Sequence, residues 1–146
     1  MKSTDPFSAA LQEWVDITMR RSMRNVIRYT KESGLSMSQM GALFHLHRKG
    51  SCAVSDLGDH LDITNAAASQ MLDRLVEQGL ILRTEDPGDR RLKQIVLTER
   101  GKQMIHDSLH ARQAWLDDLA AVLTAEEKET LTPALRTLIT KARLPK

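Results

Sequence analysis

Two short apolar runs, Leu80-Ile81-Leu82 and Ile95-Val96-Leu97, flank the segment Asp86-Pro87-Gly88-Asp89-Arg90-Arg91. Each run has the length of a β-strand. Pro, Gly and Asp between them punctuate the chain as a turn does, so the region predicts a β-hairpin with a charged tip. Two adjacent arginines at a turn gain little for folding, because nothing at a hairpin apex pairs with both. They are placed to reach something negative.

Upstream of the hairpin lie two short helical patterns joined by a tight turn. Ala53 to Leu61 carries Val54, Leu57 and Leu61 on one side, Asp62-Ile63 makes the turn, and Thr64 is a good N-cap for a helix that runs to Gln78 and stops at Gly79. Ala68, Met71, Leu72 and Leu75 form the apolar stripe of that second helix. Such a pair is the arrangement that puts one helix into a DNA groove. Its candidate DNA-reading residues are Thr64, Asn65, Ala66, Ser69, Gln70 and Arg74, and those of the hairpin are Asp89, Arg90, Arg91 and Lys93. Three alanines, Ala66 to Ala68, keep the start of the helix low enough for close approach. Arg74 has two readings, a phosphate contact or an ion-pair partner of Asp73 or Glu77.

The rest of the chain is helical in pattern. A long helix is expected from Phe7 to Glu32, ended by Gly34. Ser36 with Gln39 three residues on is a capping-box signature, and Met40, Leu43, Phe44 and His47 give the helix that follows its apolar stripe, closed by Lys49-Gly50. Thr98 caps a fifth helix whose buried side is marked by Met104, Ile105, Leu109, Trp115, Leu116, Leu119 and Leu123. Thr124 to Glu127 is another capping box, and Pro133 predicts a kink or restart, with Thr132 as N-cap.

Aromatic residues are only 3% of the 146, so aliphatic side chains must fill the core, which favours helix packing over a β-sandwich. The expected fold class is mainly α. It comprises a winged helix-turn-helix core at 36–98 with a small β-hairpin wing, flanked by helices at 7–32 and 99–142, in one domain over 1–146. A small winged lobe cannot bury the apolar faces of both terminal helices. They read as a dimerisation element, and two-fold symmetry would suit a palindromic DNA site. The net charge of +2 is mild, but Arg90, Arg91 and Lys93 cluster. The single cysteine, Cys52, excludes an intramolecular disulfide. No signal-peptide run or membrane span is apparent, so a cytoplasmic protein without membrane contact is expected.

With these pieces in place, the chain resembles the MarR (multiple-antibiotic-resistance regulator) family of bacterial transcription factors. Ser55-Asp56-Leu57-Gly58-Asp59-His60-Leu61 is similar to the family's third helix, and Leu72-Asp73-Arg74-Leu75-Val76-Glu77-Gln78-Gly79-Leu80-Ile81 to the end of its recognition helix and the next strand. Asp86 to Arg91 is similar to the wing, with Asp89 and Arg91 on the family's Asp-x-Arg pattern. Val96-Leu97-Thr98-Glu99-Arg100-Gly101 is similar to the exit into the fifth helix. The resemblance implies a homodimer on double-stranded DNA, recognition helices in major grooves and wings in adjacent minor grooves. It also implies DNA affinity that a small-molecule effector changes, with a pocket where the first, second and fifth helices meet the DNA-binding lobe. Gln70 stands where many relatives carry arginine, and glutamine suits a bidentate adenine contact.

Other chemistries have less behind them. There is no Gly-rich phosphate loop, nucleophile elbow or zinc-hydrolase pattern, so no catalytic residues and no cofactor are expected. His106 and His110 are four apart, a spacing that can share a metal, and His45, His47 and Cys52 could add ligands. No Cys-x-x-Cys or His-Glu-x-x-His pattern supports this, and structural histidines and a buried structural thiol are the expectation, with no metal site. A metal- or oxidant-sensing regulator of the same fold, or a winged-helix protein-interaction module that never touches DNA, are the alternatives. Salt dependence separates the last of these from a DNA binder.

Overall fold

The computed structural model describes residues 5–89 and 93–144. Their elements, in chain order, are α1 (Pro6–Glu32), α2 (Met37–Lys49), β1 (Ser51–Cys52), α3 (Val54–Leu61), α4 (Asn65–Glu77), β2 (Ile81–Glu85), β3 (Lys93–Leu97), α5 (Glu99–Val122) and α6 (Ala125–Ala142). The chain divides into two compact units, Met1–Arg112 and Gln113–Lys146, with α5 contributing to both.

Local signals set most boundaries. The carboxylate of Asp5 accepts from the Phe7 amide at the start of α1, where Pro6 occupies the first position. At α2 the box is complete. Ser36 Oγ accepts from the Gln39 amide (3.1 Å) and Gln39 Oε1 from the Ser36 amide (2.8 Å). Thr124 and Glu127 repeat this at α6 (3.2 and 2.8 Å).

The core of the first unit is built by Met40, Leu43 and Leu46 of α2, Leu57 of α3, Leu72 and Leu75 of α4, Ile81 and Ile95 of the sheet and Ile105 of α5. Each such side chain, fully withdrawn from water, contributes about 1.5–3 kcal/mol. The sheet is antiparallel in the order β1-β3-β2, with Ile81 opposite Leu97, Arg83 opposite Ile95 and Glu85 opposite Lys93. Ser51 and Cys52 pair with Val96 and Ile95. Thus the expected hairpin is present, and a two-residue third strand joins its other edge. The α5 helix starts hard against the sheet. A Cβ at Gly101 would overlap the Leu80 carbonyl oxygen, so only glycine fits.

Three sequence expectations are corrected. On α2, His47 is exposed, and His45 and Leu46 are buried instead, because the inward arc of the helix runs through Gln39, Ala42, Leu43 and Leu46. On α5, Leu116 is exposed while Ser108 is buried. The α6 helix runs through Pro133 without restarting. Thr132 is not a cap there; its hydroxyl donates back to the Lys128 carbonyl (2.7 Å). Proline withholds one amide from the ladder, and this stretch is exposed, so water can serve the orphaned carbonyl.

Candidate nucleic-acid interface

The α3–α4 pair is held by a tight turn. Asp62 takes the left-handed conformation (φ 54°), and the Ile63 amide donates to the Gly58 carbonyl (3.0 Å). A Cβ at Gly58 would lie 3.0 Å from Asn65 Oδ1 and 3.2 Å from the Ile63 carbonyl, so this glycine lets the two helices close up. Thr64 Oγ1 accepts from the Ala67 amide (3.1 Å) and fixes the start of α4. Ala68, Leu72 and Leu75 anchor the opposite side of the helix in the core.

What α4 then presents is polar and low. Thr64, Asn65, Ala66, Gln70 and Arg74 are exposed, and Ser69 is half-buried. Among the described residues Arg74 has no ion pair, and Asp73 is taken by Arg83 of β2 (2.6 Å). Gln70 and Arg74 line one wall of a groove of about 280 Å³ whose other wall carries Ser36, Ser38 and Gln39 from the start of α2. Sequence reasoning missed these α2 residues. The capping box at Ser36 was visible, but its closeness to α4 is a tertiary fact.

The wing is tied down at both ends. Asp73–Arg83 couples it to α4; both side chains are about half exposed, so the pair is worth no more than about 1 kcal/mol and its contribution is orientation. At the turn, Asp86 Oδ1 accepts from the amides of Gly88 (2.7 Å) and Asp89 (3.1 Å), while Oδ2 accepts from Gln94 Nε2 (3.1 Å). Lys93 faces Glu85 at 3.6 Å. Arg90 and Arg91, the tip residues singled out from the sequence, lie outside the described residues.

A second feature lies between α1 and α2. A cavity of about 460 Å³ is lined by Met19, Met23 and Val26 of α1 and by Met40 and Phe44 of α2. Its nitrogen-bearing lining comes from Arg48, His60 and Arg112, with no carboxylate. Cys52 is buried on β1; burial, then the Asp56 carboxylate, pushes its thiol above the ordinary range, which makes it a poor nucleophile. His106 and His110 are exposed, and no group of three or more His, Cys, Asp or Glu among the described residues could hold a metal.

The sequence profile of the MarR family matches residues 35–93, the stretch from the α2 cap to the wing. The HTH-type transcriptional repressor MdtR of Bacillus subtilis is 28% identical over 127 residues, covering 87% of this chain and 82% of that one. Residues 35–93 form a MarR-family domain. The fold is shared with the multiple antibiotic-resistance repressor of Listeria monocytogenes (TM-score 0.78, 21% identity, 99% of this chain and 100% of that one). It is also similar to a cysteine-to-serine mutant of MarR from E. coli solved in complex with operator DNA (TM-score 0.56, 25% identity, 92% and 98%). Among the described residues, no helix is long and apolar enough to cross a membrane.

Proposed function

We infer that this chain is a sequence-specific DNA-binding transcriptional regulator acting in the cytoplasm as a homodimeric repressor on a palindromic operator. The observation that carries the reading is the construction of α4. A helix anchored by Leu72 and Leu75 offers Asn65, Ala66, Gln70 and Arg74 on a surface kept low by alanine. Gln70 reads a base, Arg74 and the groove beside Ser38 take backbone phosphate, and Asp89, Arg90, Arg91 and Lys93 serve the wing. In support, the operator-DNA complex of the E. coli relative has the same architecture.

The test is binding to a labelled duplex that the protein selects from random sequence, measured across salt and across single-base variants. Affinity should fall linearly with salt on logarithmic axes, and Arg91→Ala should lower that slope by about one. Gln70→Ala should remove roughly 1–3 kcal/mol of discrimination at one base pair per half-site and leave non-specific binding intact. Absence of salt-dependent DNA binding would favour a protein-interaction module.

The cavity between α1 and α2 favours effector control. Methionines and Phe44 suit an apolar body, and Arg48 with Arg112 suit an anionic group, so the effector class is a small organic acid. Small aromatic acids should raise the melting temperature, since a ligand of the folded state adds stability by mass action, and Arg112→Ala should blunt the rise.

A further inference from the structure

The contact between α2 and α3 contains two imidazoles in direct apposition. His45 is 6% exposed, and neither of its ring nitrogens has a hydrogen-bond partner in the protein among the described residues. Its ring centroid lies 4.0 Å from that of His60 on α3, the planes inclined by 32°. His60 is exposed, and its Nε2 is 3.4 Å from an Arg48 guanidinium nitrogen. The charged or titratable groups facing His45 are His60 and Asp56 from α3, and Arg48 and Lys49 from its own helix. Only Asp56 favours a cation there.

A buried polar side chain with both nitrogens unused is costly, and a buried imidazolium beside an arginine and a lysine is costlier still. We propose that the His45–His60 stack is a proton-sensitive latch, holding α3 against α2 only while both rings are neutral. His60 is exposed, so the stack is open to solvent on that side. A charge placed on His60 sits against His45 and beside Arg48, and the stack can relieve this repulsion only by parting. Because α3 is locked to α4 through Gly58, loosening α3 also loosens the reading helix.

The sign follows from the buried ring. Burial first, and then His60, Arg48 and Lys49, hold His45 below its ordinary value of 6.5 in the folded protein. The unlatched or unfolded chain therefore binds more protons. Stability is complete above pH 6.5 and is lost as the pH falls below it. Between pH 7.5 and 5.5 one histidine kept neutral raises the unfolding constant by up to about tenfold. For DNA the sign is discriminating. Added positive charge alone would tighten phosphate binding in acid, whereas the latch weakens it.

The experiment uses the full chain at pH 7.5 and 5.5. Urea unfolding should show a several-fold rise in the unfolding constant for the wild type, absent in His45→Phe, which keeps a flat ring but cannot titrate. Should His45→Phe fail to fold, imidazole NMR of the wild type decides. His45 should titrate below its ordinary value of 6.5, and the amides of 54–61 should lose exchange protection as the pH falls from 7.5 to 5.5. A His45 that titrates at or above 6.5, or α3 protection unchanged with pH, overturns the latch. Duplex affinity, measured at the same two pH values, should fall in acid, an outcome that rests on the proposed function. If the chain binds no DNA, that reading fails, and unfolding and exchange still judge the latch.

Discussion

Two helices of this chain start alike and end up differently. Both α4 and α6 are opened by a threonine whose hydroxyl accepts from the amide three residues on, Thr64 at 3.1 Å and Thr124 at 3.2 Å. The α4 helix then buries Ala68, Leu72 and Leu75, whereas α6 buries nothing. Yet α6 carries Leu131, Leu135 and Ile139 at helical spacing, each roughly half exposed. A cap decides where a helix begins. Whether it has a protein partner is decided by its apolar face, and the α6 face is open. On the homodimeric reading that partner is a second copy, covering α6 and the exposed stripe of Phe7, Val15, Met19 and Met23 on α1.

The sharpest way to break this comparison is to remove the same atoms from both helices. Leu72→Ala should cost about 2–5 kcal/mol in urea unfolding, because the fully buried site leaves a cavity. Leu135→Ala in dilute protein should cost no more than about 1 kcal/mol, since its side chain is already 47% exposed. Equal losses would mean that α6 has a buried partner at high dilution. Next in size is assembly. Leu135→Glu puts a charge where roughly 1.5–3 kcal/mol of apolar burial is expected, which weakens association by at least tenfold. Sedimentation should move from dimer toward monomer, and an unchanged profile would remove α6 from the interface. The smallest effect concerns the caps. Thr64→Ala and Thr124→Ala should each destabilise by about 1 kcal/mol, with only Thr64→Ala lowering the DNA affinity of the assembled dimer. If both variants lower it, the two helices are not independent in function.

The parts of the structure legible in the sequence are those encoded within a few residues. Capping at Ser36, Thr64 and Thr124, the turn at Asp62, and the glycine ends at Gly34, Gly50 and Gly79 all occur where their side chains or positive φ require them. Strand β1 was not legible, since two residues carry no alternation and exist as a strand only because β3 offers a free edge. The swap of His47 for His45 is an error of helical phase near a helix end, where one position turns an inward residue outward. At the candidate site, the polar face of α4 could be read from its amphipathic pattern. The pairing of Asp73 with Arg83 instead of Arg74 could not, because it depends on where β2 returns past α4. The α2 wall of the Gln70–Arg74 groove was hidden for the same reason.

Gly101 has a consequence for heredity. Every missense change of its codon adds at least a Cβ, and the Leu80 carbonyl oxygen that this atom would overlap is backbone and cannot swing aside. Its neighbours Arg100 and Lys102 are exposed and have room for almost any side chain. A saturation library across these three codons would therefore return one nearly frozen column between two permissive ones. That column is a lineage constraint imposed by a joint between helix and strand, at a position that serves neither DNA reading nor effector capture in the proposed function.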